Sequence, residues 1–140
     1  LAVFEKLEHL MVATPESMAP HLFGPRPAAE AVVAEVDDRV VAFALFFTNF
    51  STFLAKPGLY LEDLYVRPAQ RGSGLGKALL AHLGRLAAER GCGRFEWSVL
   101  DWNENAIKLY EKMGATVMPE WRICRVTGEA LATFGLGPSA

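Results

Sequence analysis

Cysteine is scarce in this chain: Cys92 and Cys124 are the only two among 140 residues, far apart and without a second cysteine at metal-ligand spacing. Neither a disulfide framework nor a zinc site is indicated, and a reducing cytoplasm is the expected compartment. The three histidines, His9, His21 and His82, are equally scattered and lack the i,i+4 pairing of a helix-borne metal site, so no metal is expected. Long apolar runs are missing as well. The longest, Val40 to Phe47, has about eight residues, where a membrane-spanning helix needs about twenty, so no membrane partner is expected. Charge of one sign is not in excess: fourteen basic against sixteen acidic residues give a formal −2. That balance offers no clustered basic face for nucleic acid. The chain opens at Leu1 with no signal-peptide pattern, which suggests that a natural N-terminal segment precedes this numbering. No repeat or linker interrupts it, and 51% apolar content suffices for one core, so residues 1–140 read as a single domain.

Periodicity then divides the chain. Phe4, Leu7, Leu10 and Met11 form one apolar helical stripe, and Thr14-Pro15-Glu16 has the cap-then-proline order of a second helix start. Gly24-Pro25-Arg26-Pro27 ends that region. Ala31 to Val36 and Val40 to Phe47 read as antiparallel strands joined by a hairpin turn at Asp37-Asp38-Arg39. A further strand is predicted over Leu59 to Val66. Leu75, Leu79, Leu83 and Leu86 recur at helical spacing up to Arg90, with Gly91 placed to stop that helix in a left-handed cap. Arg94 to Leu100 reads as a strand, a helix follows from about Asn103 to Gly114, and short strands are predicted over Ala115 to Met118 and Trp121 to Val126. Gly135 to Ala140 reads as a loose tail.

The sharpest chemical signal lies between a strand and the best helix: Gln70-Arg71-Gly72-Ser73-Gly74-Leu75-Gly76-Lys77. Gly72, Gly74 and Gly76 lack Cβ atoms, so the backbone can turn tightly and approach a ligand, while the first N–H groups of the helix point out at its positive end. This is an anion site suited to a pyrophosphate, with a purely structural glycine turn as the alternative. A nucleotide P-loop would need glycine where Arg71 stands and Ser or Thr where Ala78 stands. The dinucleotide fingerprint fails because Lys77 occupies the place of its third glycine.

Arg71-x-x-Gly74-x-Gly76 instead resembles the acetyl-CoA pyrophosphate loop of the GNAT superfamily of N-acetyltransferases. Asn103-x-x-Ala106-x-x-Leu109-Tyr110-x-x-x-Gly114 is similar to the superfamily's second cofactor motif. Leu59-Tyr60-Leu61-Glu62-Asp63-Leu64-Tyr65-Val66 resembles the central strand of the spermidine/spermine and thialysine acetyltransferase branch, with Trp102-Asn103-Glu104 and Trp121-Arg122 extending the match. The resemblance spans roughly residues 31 to 127. It implies an α/β fold: a mostly antiparallel twisted sheet of about six or seven strands with helices on both faces, the cosubstrate entering a gap that begins after Val66.

By position, the resemblance gives Arg71 to Lys77, including Ser73 and Leu75, to the pyrophosphate. Backbone groups of Leu64 and Val66, with Asn103 and Ala106, go to the pantetheine arm, and Tyr110 lies near the sulfur as general acid. Asn103 as a simple N-cap and Tyr110 as a core aromatic are the structural alternatives. Glu62 faces the acceptor amine. An alkylammonium has a pKa of about 10.4 and must lose a proton before attacking a thioester, which Glu62 can accept directly or through water. Strict alternation sends Glu62 and Asp63 to opposite faces, so one of them serves the amine unless a bulge re-aims the other. Asp63, Glu96 or Glu120 can hold one remote ammonium, and Trp121 belongs with the substrate-binding residues. Where polyamine enzymes carry an acidic residue and a tryptophan this chain has Ser51 and Phe53, which favours a small amine, such as a lysine analogue or diamine, over spermine. The resemblance also implies a homodimer. A non-catalytic acyl-CoA-binding module and an acetyltransferase of protein lysines or N-termini are the competing readings.

Overall fold

The computed structural model describes residue 9 and residues 11–136, so the stripe through Phe4, Leu7 and Leu10 and the end of the tail lie outside the described residues. The described chain divides into two compact units that part between Ser98 and Val99.

The first unit opens with α1 (Pro15–Phe23), started by a capping box in which Thr14 and Ser17 exchange side-chain and backbone hydrogen bonds. Three antiparallel strands follow, β1 (Glu30–Val36), β2 (Arg39–Ser51) and β3 (Lys56–Val66), and then α2 (Leu75–Glu89) and β4 (Arg94–Trp97). The sheet order is β1-β2-β3-β4, with β4 parallel to β3. The β1–β2 turn is a two-residue loop whose central residues, Asp37 and Asp38, have φ of 52° and 62°, the signature of a type I′ turn.

Leucines and alanines four apart on α2 cover one face of this sheet. Leu79, Leu80, Leu83 and Ala87 are buried with Ala42, Ala44, Phe46, Leu59 and Leu61. Phe46, Leu59 and Leu83 are the largest fully buried side chains, each contributing about 1.5–3 kcal/mol by leaving water. Gly91, at φ 73°, stops α2 in the left-handed conformation expected there. Arg90 then reaches back to Glu30 at the start of β1 through paired contacts of 2.7 and 2.8 Å. Arg90 holds the Glu30 carboxyl below its usual pKa, but both side chains are exposed enough that the pair contributes under about 1 kcal/mol.

The second unit contains α3 (Glu104–Lys112), closed by Gly114 at φ 103°, and a short α4 (Gly128–Phe134) that periodicity did not reveal. The strands expected over 115–118 and 121–126 do not form. Those residues have the right composition, but a strand exists only through its ladder. Here Ala115 N–H returns to the Tyr110 carbonyl, and Trp121 N–H turns back to Met118. The class is α/β with a mostly antiparallel sheet, as anticipated, but the sheet has four strands among the described residues rather than six or seven. The strand expected over Arg94 to Leu100 also stops early, at Trp97.

A non-glycine residue in the left-handed region is strained, so Asp38→Gly should stabilise the hairpin by about 0.5–1 kcal/mol, a rise of a few degrees in Tm. A fall in Tm by calorimetry would show that the Asp38 side chain does more for the turn than its backbone costs.

Candidate active site

One register shift organises the site. Asp63 pairs with Leu45 and Leu61 with Phe46, so Glu62 is an extra residue in β3 with no partner on β2. This β-bulge changes which side chains face α2. Before it, Leu59 and Leu61 are buried on the α2 side. After it Leu64 and Val66 take that side, and the Val66 Cγ2 lies 3.7 Å from where a Cβ on Gly76 of α2 would stand. Tyr60, Asp63 and Tyr65 therefore share the opposite face, where Tyr60 meets Phe47 and Tyr65 meets Phe43 with ring centroids 5.1 and 6.0 Å apart.

The bulge also marks where β3 and β4 part. Their parallel ladder runs from Gly58↔Arg94 to Leu61↔Trp97 and stops. The gap thus opens after Leu61 rather than after Val66, because a bulge bends its strand and increases its twist, and β4 cannot follow. From Glu62 to Val66 one edge of β3 is unpaired by any strand among the described residues.

The groups on that edge follow from the β2 ladder. Arg67 N–H donates to the Val41 carbonyl at 2.8 Å, so these residues form a hydrogen-bonded pair. Such pairs alternate along an antiparallel ladder, which makes Tyr65/Phe43 and Asp63/Leu45 hydrogen-bonded pairs and Val66/Ala42 and Leu64/Ala44 non-bonded ones. The N–H and C=O groups of Leu64 and Val66 therefore project away from β2, along the open edge. The Val66 carbonyl agrees, since it accepts from Arg71 Nε at 3.0 Å.

Arg71 begins the loop that leads into α2, and its guanidinium also lies over the Tyr65 ring, 5.5 Å from the centroid. Gly72 and Gly74 have φ of 81° and 83°, and a Cβ at either would meet nothing within 4 Å, so backbone conformation rather than crowding calls for glycine at both. Ser73 Oγ donates to the Gln70 carbonyl, tightening the turn. Gly74 is the N-cap of α2, and no side chain caps the helix there. Its leading N–H groups are left for an external acceptor beside the exposed Lys77, the arrangement that binds anions. An open groove of about 660 Å³ between the β1–β2 turn and residues 65–70 adjoins this loop through Gln70 and contains none of the expected site residues.

The acidic residues separate by environment. Glu62, at the bulge, is exposed. Asp63 is half-buried, and desolvation raises its carboxyl above the usual value of 3.8. Glu96 pairs with Tyr60 across the β3–β4 ladder and so belongs to the same face as Asp63. Tyr60 and Ser98, whose hydroxyls lie 2.7 Å apart, were not singled out by sequence, since a contact across 38 positions leaves no local signal.

In the second unit Asn103 caps α3, its Oδ1 accepting from Ala106 N–H at 3.4 Å. The cap role is therefore real, and it leaves the side-chain NH2 to donate elsewhere. Tyr110 follows seven residues on, about two helical turns, and desolvation raises its phenol above 10.0, keeping it protonated. Trp121 is 76% exposed. Among the described residues no group of three or more His, Cys, Asp or Glu could hold a metal ion.

Comparison with known proteins agrees with this geometry. Residues 4–115 match the acetyltransferase (GNAT) family. The chain is 39% identical to an L-ornithine N5-acetyltransferase of Arabidopsis thaliana over 94% of its own length and 77% of the relative's. It is 35% identical to a thialysine N-epsilon-acetyltransferase of Mus musculus over 94% and 83% of the two chains. Among solved structures, an integron cassette protein from the mobile metagenome of V. cholerae superimposes with a TM-score of 0.78 at 26% identity, covering 97% of this chain and 89% of that one. On that match over residues 4–115 and those relatives, the chain belongs to the GNAT family of acetyltransferases.

Proposed function

We propose that this acetyltransferase moves the acetyl group of acetyl-CoA onto the primary amine of a small molecule bearing at most two cationic centres, such as ornithine, a lysine analogue or a short diamine. The observation that carries the reading is the pair of carboxyls at the bulge, set at the open edge of β3. The names of the two relatives, an ornithine and a thialysine acetyltransferase, point to the same acceptor class.

The residues fit acetyl-CoA. The leading N–H groups of α2, with Gly72, Gly74, Gly76 and Lys77, suit a pyrophosphate, and Ser73, Leu75 and Arg71 shape the loop. The backbone N–H and C=O of Leu64, the Val66 N–H and the side-chain NH2 of Asn103 suit the amide groups of a pantetheine arm. Acetyl-CoA brings a thioester, whose carbonyl gains negative charge when an amine attacks. The Leu64 N–H stabilises that charge as a preorganised donor. Glu62, exposed at the bulge, accepts the ammonium proton directly or through water, and Asp63 with Glu96 holds a second positive charge. Tyr110, whose phenol carries its proton at neutral pH, supplies that proton to the departing thiolate. No acetyl-enzyme is required.

The finer parts of the reading are a single catalytic domain over residues 1–140, a cytoplasmic location and a homodimer. Phe50 and Phe53 at the β2–β3 connection, 65% and 93% exposed, support the dimer as an apolar surface suited to pairing.

An amine panel assayed for CoA release tests the function. Ornithine, thialysine or a short diamine should exceed spermine in kcat/KM by roughly tenfold or more, since each missing charged hydrogen bond removes about 1.5–3 kcal/mol, and Glu62→Gln should depress every substrate. Spermine as the best substrate would overturn the choice of acceptor, and acetylation of peptides alone would overturn the small-amine reading.

Gly74→Asp and Gly74→Asn put side chains of nearly the same size at the same left-handed position, but only the first adds a negative charge at the start of α2. Acetyl-CoA affinity by calorimetry should fall at least about tenfold further in the Asp variant. Equal affinities would remove the pyrophosphate from this loop.

Asp63 makes a prediction about pH. Its folded pKa lies above the unfolded value, so the native state holds the extra proton between the two. The contribution to stability is present below the unfolded value and is lost as pH rises through the raised one. Asp63→Asn should therefore raise Tm at pH 7, with the gain fading as pH falls below the ordinary carboxyl value of 3.8. A gain that persists at low pH would mean that burial of the charge is not its cause.

A further inference from the structure

The face of the sheet that bears Asp63 and Glu96 also carries the Tyr60 and Ser98 hydroxyls, 2.7 Å apart, to which the reading above gives no part. Their placement is specific. The backbone ladder between β3 and β4 ends at Leu61↔Trp97, and Ser98 is the next residue after β4. The residue of β3 that would continue the ladder toward Ser98 is Glu62, which the bulge takes out of register. The hydroxyl pair is thus a side-chain link between the two strands at the very step where backbone pairing stops. Tyr60 is held on its other side as well, because its ring packs against its register partner Phe47 at 5.1 Å and 31°. A ring fixed on one strand with its hydroxyl on the next ties three strands together at the mouth of the gap.

We propose that Tyr60 and Ser98 form a positioning pair, a clasp whose hydrogen bond fixes where β3 and β4 separate and so sets the placement of the bulge carboxyls and the Leu64 N–H. This rests on the proposed acetyl transfer. The pair touches neither the pyrophosphate loop nor the buried side chains beneath α2, so its loss acts on turnover rather than on acetyl-CoA affinity or on folding. Either hydroxyl alone is useless to the clasp, which makes the two residues a coupled unit.

The test uses Tyr60→Phe, Ser98→Ala, the double variant and Ser98→Thr, which keeps a hydroxyl on a residue suited to a strand. Loss of one net hydrogen bond corresponds to about 3- to 10-fold in rate. Tyr60→Phe and Ser98→Ala should each lower kcat by that factor with acetyl-CoA Kd within about twofold of the parent, the double variant should be no slower than either single one, and Ser98→Thr should retain activity. Additive losses, an equally impaired Ser98→Thr, or a fall in Tm with unchanged kcat would overturn the clasp. If the parent protein acetylates no amine, the functional reading fails first, and amide hydrogen exchange then decides the clasp separately. Faster exchange at Trp97 and Ser98 in Tyr60→Phe and Ser98→Ala supports it, and unchanged rates overturn it.

Discussion

An extra residue in one strand of a ladder has no partner, and in β3 that residue is Glu62. Its consequences spread through the first unit. Side-chain parity reverses, so an apolar strand keeps its α2 face covered by Leu59 and Leu61 before the bulge and by Leu64 and Val66 after it. Asp63 is thereby sent to the far face with Tyr60 and Tyr65, where half-burial raises its pKa. The β4 ladder ends at the same step, and the next backbone groups along β3 lose their strand partner. Unpaired N–H and C=O groups at a sheet edge need an acceptor and a donor from elsewhere, whether water or a ligand. A substrate arm that runs along the edge with amide groups of its own meets that need as another strand would.

The glycine loop places the second requirement close by. Arg71 hooks the Val66 carbonyl at 3.0 Å, so the end of the open edge and the start of the glycine-rich turn are fixed to each other by one side chain. From there Gly72 and Gly74 turn the backbone through the left-handed region and α2 begins uncapped. The same helix buries Leu79, Leu80, Leu83 and Ala87 against the sheet, which anchors its exposed N-terminus on the buried core of the first unit. Truncating Leu83 there would cost about 2–5 kcal/mol and loosen the loop with it. Rigidity under the loop and openness at the strand edge come from the same few residues.

Much of this was legible in the sequence because it is local. The period of α2, its stop at Gly91, the hairpin turn within Asp37-Asp38-Arg39, the cap at Thr14 and the glycine loop each depend on residues a few positions apart. The motifs of the GNAT family were readable for the same reason. Non-local facts escaped. Composition over 115–118 and 121–126 favours strands, yet pairing decides, and no partner strand is present among the described residues of that unit. The sequence placed the gap five residues too late because a bulge is a relation between β2 and β3 and leaves no mark in β3 alone. The contrast between exposed Glu62 and half-buried Asp63, and the link between Tyr60 and Ser98, needed the sheet to be assembled first.

We infer that the edge of β3 beyond the bulge receives acetyl-CoA through alternate backbone groups. Residue-resolved amide hydrogen exchange, with and without a saturating acetyl-CoA analogue, tests it most directly. The Leu64 and Val66 amides, which face the open edge, should become markedly protected on binding, while Tyr65, already paired with Phe43 across the β2 ladder, should change little. Uniform protection along β3, or none at Leu64 and Val66 when the analogue is bound, would contradict the account.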